Sequence, residues 1–116
     1  MICKFSILTN NVDSEGDEFN INGARLMGKT PVLFNNNKNQ CVGFATVRIS
    51  KNELMAEADI PDFALDAYPN IGFMRLKCTN KVCGTIYHEF ILGHIGLSLQ
   101  PNPDPSIKTI REQCQK

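Results

Sequence analysis

The sequence has no tryptophan, only two histidines and no excess of either charge, with 12 Lys and Arg against 12 Asp and Glu. Zero net charge leaves no electrostatic ground for binding nucleic acid or an anionic membrane, so neither is expected as a partner. No apolar run approaches the length of a transmembrane helix. Met1 to Thr9 holds one Lys and a short apolar run but no signal-peptide cleavage pattern, and reads as a first strand. The chain has no Gly-x-Ser-x-Gly elbow and no phosphate-cradling glycine loop. Gly93 and Gly96 are too few and too poorly placed for a nucleotide site. No cofactor is expected.

What is present fits one core. The chain has 116 residues, 42% of them hydrophobic, which suits a single domain. The five cysteines, Cys3, Cys41, Cys78, Cys83 and Cys114, are odd in number and scattered. That pattern argues for reduced thiols in a cytosolic compartment, packed as small hydrophobes.

Strand signals dominate. Ile2 to Leu8 alternates, and Asn10 to Asn20 is a polar, acidic loop. Ile21 to Met27 reads as a short strand interrupted by Gly23, and Val32-Leu33-Phe34 ends at the triplet Asn35-Asn36-Asn37. The clearest element is a hairpin, Cys41 to Ile49 and Glu53 to Ile60, around Ser50-Lys51-Asn52. In its second strand Leu54, Ala56, Ala58 and Ile60 share one face, and Glu53, Met55, Glu57 and Asp59 the other. Pro61 to Pro69 holds the one candidate internal helix. A second hairpin is expected from Ile71 to Cys78 and Val82 to Leu92, with a separate short strand from Ile95 to Leu99. Pro101, Pro103 and Pro105 then stop regular structure. The fold class expected is mainly β (α+β): a small antiparallel barrel or curled sheet of six to seven strands with one short helix. The β domain is expected over residues 1–100, with a Pro-rich exit and tail over 101–116, in which Ser106 to Lys116 reads as a polar tail or a short helix.

Two constellations could carry chemistry. Cys78, Cys83, His88 and His94 have a zinc-like spacing, but Cys83 and His88 are roughly 16 Å apart along an extended strand, and on opposite faces. Zinc ligands must converge at about 2.0–2.3 Å from one ion, so no metal is expected. His88 shares a face with Ile86 and Phe90 and reads as a core or interface histidine. Ser98 invites pairing with His94, but four extended residues separate them by roughly 13 Å, beyond the reach of a general base. His88 would meet Ser98 only if two strands paired in a suitable register.

Three stretches, in order, resemble the prohead (capsid maturation) proteases of tailed phages. The first is "GKTPVLFNNNKNQCVGFATVRISKNELMAEADI", Gly28 to Ile60. The second is "NIGF", Asn70 to Phe73, where that family has "SIGF". The third is "FILGHIGLSLQPNPDPSIK", Phe90 to Lys108, similar to the family's closing strand and Pro-rich exit. In this resemblance the family's catalytic His falls on Asn36 and its nucleophilic Ser on Asn70. Its closing acidic residue falls near His94, and Ser98 matches a strand serine. A carboxamide cannot take a proton from a serine, and Asn70 has no hydroxyl to attack a carbonyl. Loss of both members of such a pair removes covalent catalysis. The resemblance therefore implies a non-enzymatic virion or capsid-assembly protein, located in the virion or procapsid, or in the host cytoplasm during assembly. Its implied partners are the major capsid protein or other head proteins, or further copies of itself. The alternatives are an active maturation serine protease using Ser98 with His88 or His94, and an unrelated β-domain binding module. Asn36 and Asn70 also have a simpler reading as turn and strand-start residues.

Overall fold

The computed structural model describes residues 1–114. Eight strands form one mixed sheet: β1 Ile2–Thr9, β2 Glu18–Phe19, β3 Ala24–Arg25, β4 Lys29–Phe34, β5 Cys41–Ser50, β6 Glu53–Asp59, β7 Tyr68–Asn80 and β8 Thr85–Ser98. One short helix, α1, spans Ile110–Cys114. The mainly β, curled fold expected from the sequence is the one observed. The pairing is β1-β6-β5-β4-β8, and β7 joins the far side of β8.

The β5–β6 hairpin forms as its alternation dictates. Leu54, Ala56, Ala58 and Ile60 are all buried, and Ser50 pairs with Glu53 across a two-residue turn. On β1 the same period of two sends Cys3, Phe5 and Ile7 into the core. Residues 18–34 track β8 in parallel, Glu18 beside Ile86, Ala24 beside Phe90 and Val32 beside Ile95. The stretch read as a strand from Ile21 to Met27 is a 3-10 turn, Ile21–Gly23, followed by β3. The turn places residue 23 so close to the His88 carbonyl that no Cβ fits there. The helix expected between Pro61 and Pro69 is a single 3-10 turn, Asp62–Ala64.

The second hairpin is longer than the sequence suggested. Gly93-His94 does not separate two strands; β8 runs unbroken from Thr85 to Ser98. Gly93 is instead the extra residue of a bulge, since Gly72 pairs with His94 and Phe73 with Leu92. The bulge reverses the alternation. Phe90 and Leu92 point inward before it, Ile95 and Leu97 after it, so His94, Gly96 and Ser98 face outward. A second irregularity inserts His88 between Tyr87, paired with Cys78, and Glu89, paired with Lys77. His88 is therefore exposed, not the core histidine its spacing from Phe90 implied, and its Nε2 bonds Thr79 Oγ1 at 2.8 Å.

The sheet does not close. Among the described residues no ladder joins β1 to β7, the two edge strands of the half-barrel. The C-terminal segment lies across this seam. Asn102 Nδ2 donates to the Pro69 carbonyl at 2.8 Å, and Ser14 N–H donates to the Pro103 carbonyl at 2.9 Å. Buried Asp104 accepts from Thr9 and Ser106, and Ile107 and Ile110 are buried. Burial alone would raise the Asp104 pKa, but these hydrogen bonds prevail and hold it below the usual carboxylate value. The segment read as a tail is thus packed into the core as far as residue 114; residues 115 and 116 lie outside the described residues. The radius of gyration, 13.4 Å, is that of a compact chain of this length, not of one with an extended arm.

Candidate functional site

Asn36, Asn70 and His94 meet on the outer face of the β7–β8 pair, over Gly96. Each arrives by a different local rule. Asn70 stands directly across the ladder from Gly96, and Gly72 across from His94. Asn36 comes from the turn after β4, whose Leu33 flanks Gly96 on the other side. Asn35 and Asn36 both have positive φ, 56° and 55°, and Asn37 N–H donates to the Phe34 carbonyl at 3.1 Å. A tight turn with two such residues favours asparagine, which tolerates the left-handed region better than most side chains. Asn35 N–H is anchored to the Leu97 carbonyl at 2.8 Å, which fixes the turn against the end of β8.

The two glycines make room. A Cβ on Gly96 would collide with Oδ1 of both Asn36 and Asn70, so the two carboxamides occupy the space where a side chain at 96 would stand. A Cβ on Gly72 would collide with the His94 imidazole, which lies over that backbone. Glycine inside a strand often marks such a close approach. His94 Nε2–H donates to Asn36 Oδ1 at 3.2 Å. Burial, and secondarily the charge of Lys38, lower the His94 pKa and so favour the neutral ring.

Chemically the cluster is a set of hydrogen-bonding groups without a nucleophile. Two carboxamides and an imidazole can donate and accept hydrogen bonds, and a carboxamide supplies neither a hydroxyl nor a thiol to attack a carbonyl. Of the residues singled out in the sequence, Asn36, Asn70 and His94 are brought together. Ser98 and His88 are not part of the cluster. Because β8 is one strand, His88 and Ser98 cannot pair across a ladder; they lie ten residues apart, roughly 33 Å at the usual rise. His94 and Ser98 are four apart on the same strand, and Ser98 Oγ accepts from Gln100 N–H at 3.0 Å.

The zinc-like set does not converge either. Among the described residues the one group of three potential ligands lying together is Asp13, Glu15 and Asp17. The expectation that the cysteines pack as small hydrophobes holds for Cys3 but not for Cys41, Cys78 and Cys83, which are exposed; burial and the neighbouring Cys114 push the Cys3 thiol up to about 12. The carboxylate group was missed in the sequence, where the loop was read as merely acidic, although its i, i+2, i+4 spacing was visible. Asp13 Oδ1 accepts the backbone N–H of Glu15 and Asp17 at 2.9 and 3.0 Å, and Asp17 Oδ1 accepts that of Thr85 at 2.8 Å. Asp13 therefore shapes its own loop, and Asp17 ties that loop to the start of β8.

No family model matches the chain, and no curated protein or solved structure is detectably similar to it. By its structure the chain is a small, open β half-barrel whose outer face carries an amide–imidazole cluster.

Proposed function

We propose that the chain is a non-catalytic virion or capsid-assembly protein built on a prohead-protease-like fold, acting as an auxiliary, decoration or assembly factor. One observation carries this reading. Asn36 and Asn70, the positions onto which the resemblance maps a catalytic His and Ser, are 34 residues apart in sequence yet converge on Gly96. The position near the family's closing acidic residue, His94, hydrogen-bonds one of them. A chance match of short motifs gives no reason for three such positions to share one site. The same convergence argues against proteolysis, because both reacting groups are amides.

The partner under this reading is the major capsid protein or another head protein, met in the procapsid or virion. Incubating the purified chain with the major capsid protein encoded by the same genome should give co-sedimentation and leave the capsid protein intact. No association, together with a gene standing apart from portal, capsid and terminase genes, would favour an unrelated β-domain binding module. Cleavage abolished by a single substitution in this chain would show a working protease instead.

A further inference from the structure

The seam between β1 and β7 is only partly covered by the C-terminal segment. What stays open is a cleft of about 240 Å³ lined by Ile7 and Leu8 of β1, Ile71 and Phe73 of β7, and Phe19 and Tyr87, with Asp13, Glu15 and Asp17 at its rim. Its aromatic wall is ordered. Phe19 stacks on Tyr87 with ring centres 4.7 Å apart, and Phe73 meets both edge-on, at 5.1 and 4.9 Å. The volume falls below the roughly 300–1,000 Å³ of small-molecule pockets and suits one long side chain.

Two further features bear on the occupant. The carboxylate oxygens of the rim lie within 4.8 Å of one another, and among the described residues none of the three is ion-paired. Aromatic faces beneath a concentration of negative charge favour a cation, by cation–π attraction and by charge complementarity together. Beside the cleft, β7 pairs only with β8. From Asn70 to Asn80 its outward backbone groups have no backbone partner among the described residues, and Met74 and Leu76 are exposed there. A free edge of this kind accepts an added strand. Arg75 and Lys77 on the same strand set a limit: a uniformly basic partner would be repelled, so the cation must be placed at the cleft.

We propose that the β7 edge and this cleft together form a docking site for an extended segment of a partner protein that inserts one Arg or Lys side chain between the aromatic wall and the acidic rim. The main chain of the segment would pair with β7, and the cationic side chain would set its register. Asn70 lines this cleft as well as the amide–imidazole cluster, but the docking site does not depend on the phage reading.

Two blocked peptides test it, Ac-Thr-Val-Arg-Val-Thr-amide and the same peptide with Glu for Arg, titrated into the full chain labelled with nitrogen-15. The Arg peptide should shift the amides of 70–74 and of Phe19 and Tyr87. The Glu peptide should bind about tenfold or more weakly, the scale of one partly desolvated cation–π contact. Glu15→Lys is the test variant, since the Glu15 side chain is exposed and makes no hydrogen bond that the fold uses; it should remove Arg-peptide binding while leaving the other resonances in place. Equal binding of both peptides, no binding of the Arg peptide at millimolar concentration, or full binding to the Glu15→Lys variant would each overturn the proposal.

Discussion

His94 stands directly across the β7–β8 ladder from Gly72, and its imidazole fills the space that a side chain at 72 would need. The contact ties the ring's position to the absence of one methyl group. Gly72→Ala should therefore force the imidazole outward and break its bond to Asn36. The cost expected is about 1–3 kcal/mol, the range for overpacking a filled site. Chemical denaturation measures the cost, and the His94 side-chain resonances report the displacement. An unchanged His94 environment in a stable Gly72→Ala variant would show that the ring has room to spare.

The same ring makes stability depend on pH. Burial and Lys38 lower its pKa in the folded protein, whereas in the unfolded chain it titrates near the ordinary value of about 6.5. The unfolded state thus binds the proton more readily as pH falls, so stability rises with pH in that range. The His94 contribution is complete above about pH 6.5 and is lost as pH drops through that value toward the lower folded pKa. His94→Gln, which cannot titrate, should flatten the slope of unfolding free energy between about pH 5 and 7. A wild-type His94 midpoint at or above 6.5 by NMR would contradict the burial argument.

Thr30 is a separate case, a polar atom without a partner. It sits in β4 at 1% exposure, and its Oγ1 has no hydrogen-bond partner. A buried unsatisfied hydroxyl costs free energy that an apolar group of the same shape does not. Thr30→Val should raise stability by about 1 kcal/mol. Thermal unfolding would read this as an increase of several degrees. A lower melting temperature would mean that the hydroxyl is satisfied in solution.

How much of this was legible depends on how local the signal is. The β5–β6 hairpin could be read because Glu53 to Ile60 alternates with Met55 as the one apolar residue on the outer face, and a polar pair closes the turn. By sequence β8 reads as two strands, because Gly93-His94 looks like a turn. Whether a glycine ends a strand or bulges it is decided by the partner strand, here by Gly72 opposite His94. The same dependence hid His88, whose inward face by simple counting is cancelled by its insertion opposite the Lys77–Cys78 step. Asn36 and Asn70 could be named from motif order, but their convergence depends on β4 running parallel to β8, a register that no local pattern encodes. The C-terminal segment was read as a polar tail because Ile107 and Ile110 are only two apolar residues among polar ones. Their burial follows from the open seam they cover.

That seam gives the last prediction. β1 is an edge strand, and side chains of α1 blunt the edge, Gln113 at Ser6 and, more weakly, Cys114 Sγ at the Lys4 carbonyl. Gln113 Oε1 accepts the Ser6 N–H at 2.6 Å, and Gln113 Nε2 donates to the Ser6 carbonyl at 3.2 Å. The carboxamide thus takes the place of a neighbouring strand for one residue, and α1 is held against β1 by the same pair of bonds. Gln113→Ala leaves both Ser6 groups without their partner and also removes the Nε2–H bond to the Lys108 carbonyl at 2.9 Å, a loss of about 1–3 kcal/mol for three neutral hydrogen bonds. The larger consequence should be kinetic and concentration-dependent. An uncovered edge recruits strands from other copies, so the variant should form dimers or larger species at concentrations where the wild type does not, as read by sedimentation velocity. Gln113→Glu separates the two bonds. Its carboxylate can still accept from Ser6 N–H but cannot donate to the carbonyl, so it should keep part of the stability and resist association through its added charge. If Gln113→Ala stays as monodisperse as the wild type, the edge is protected by the packing of Ile107 and Ile110 rather than by the amide.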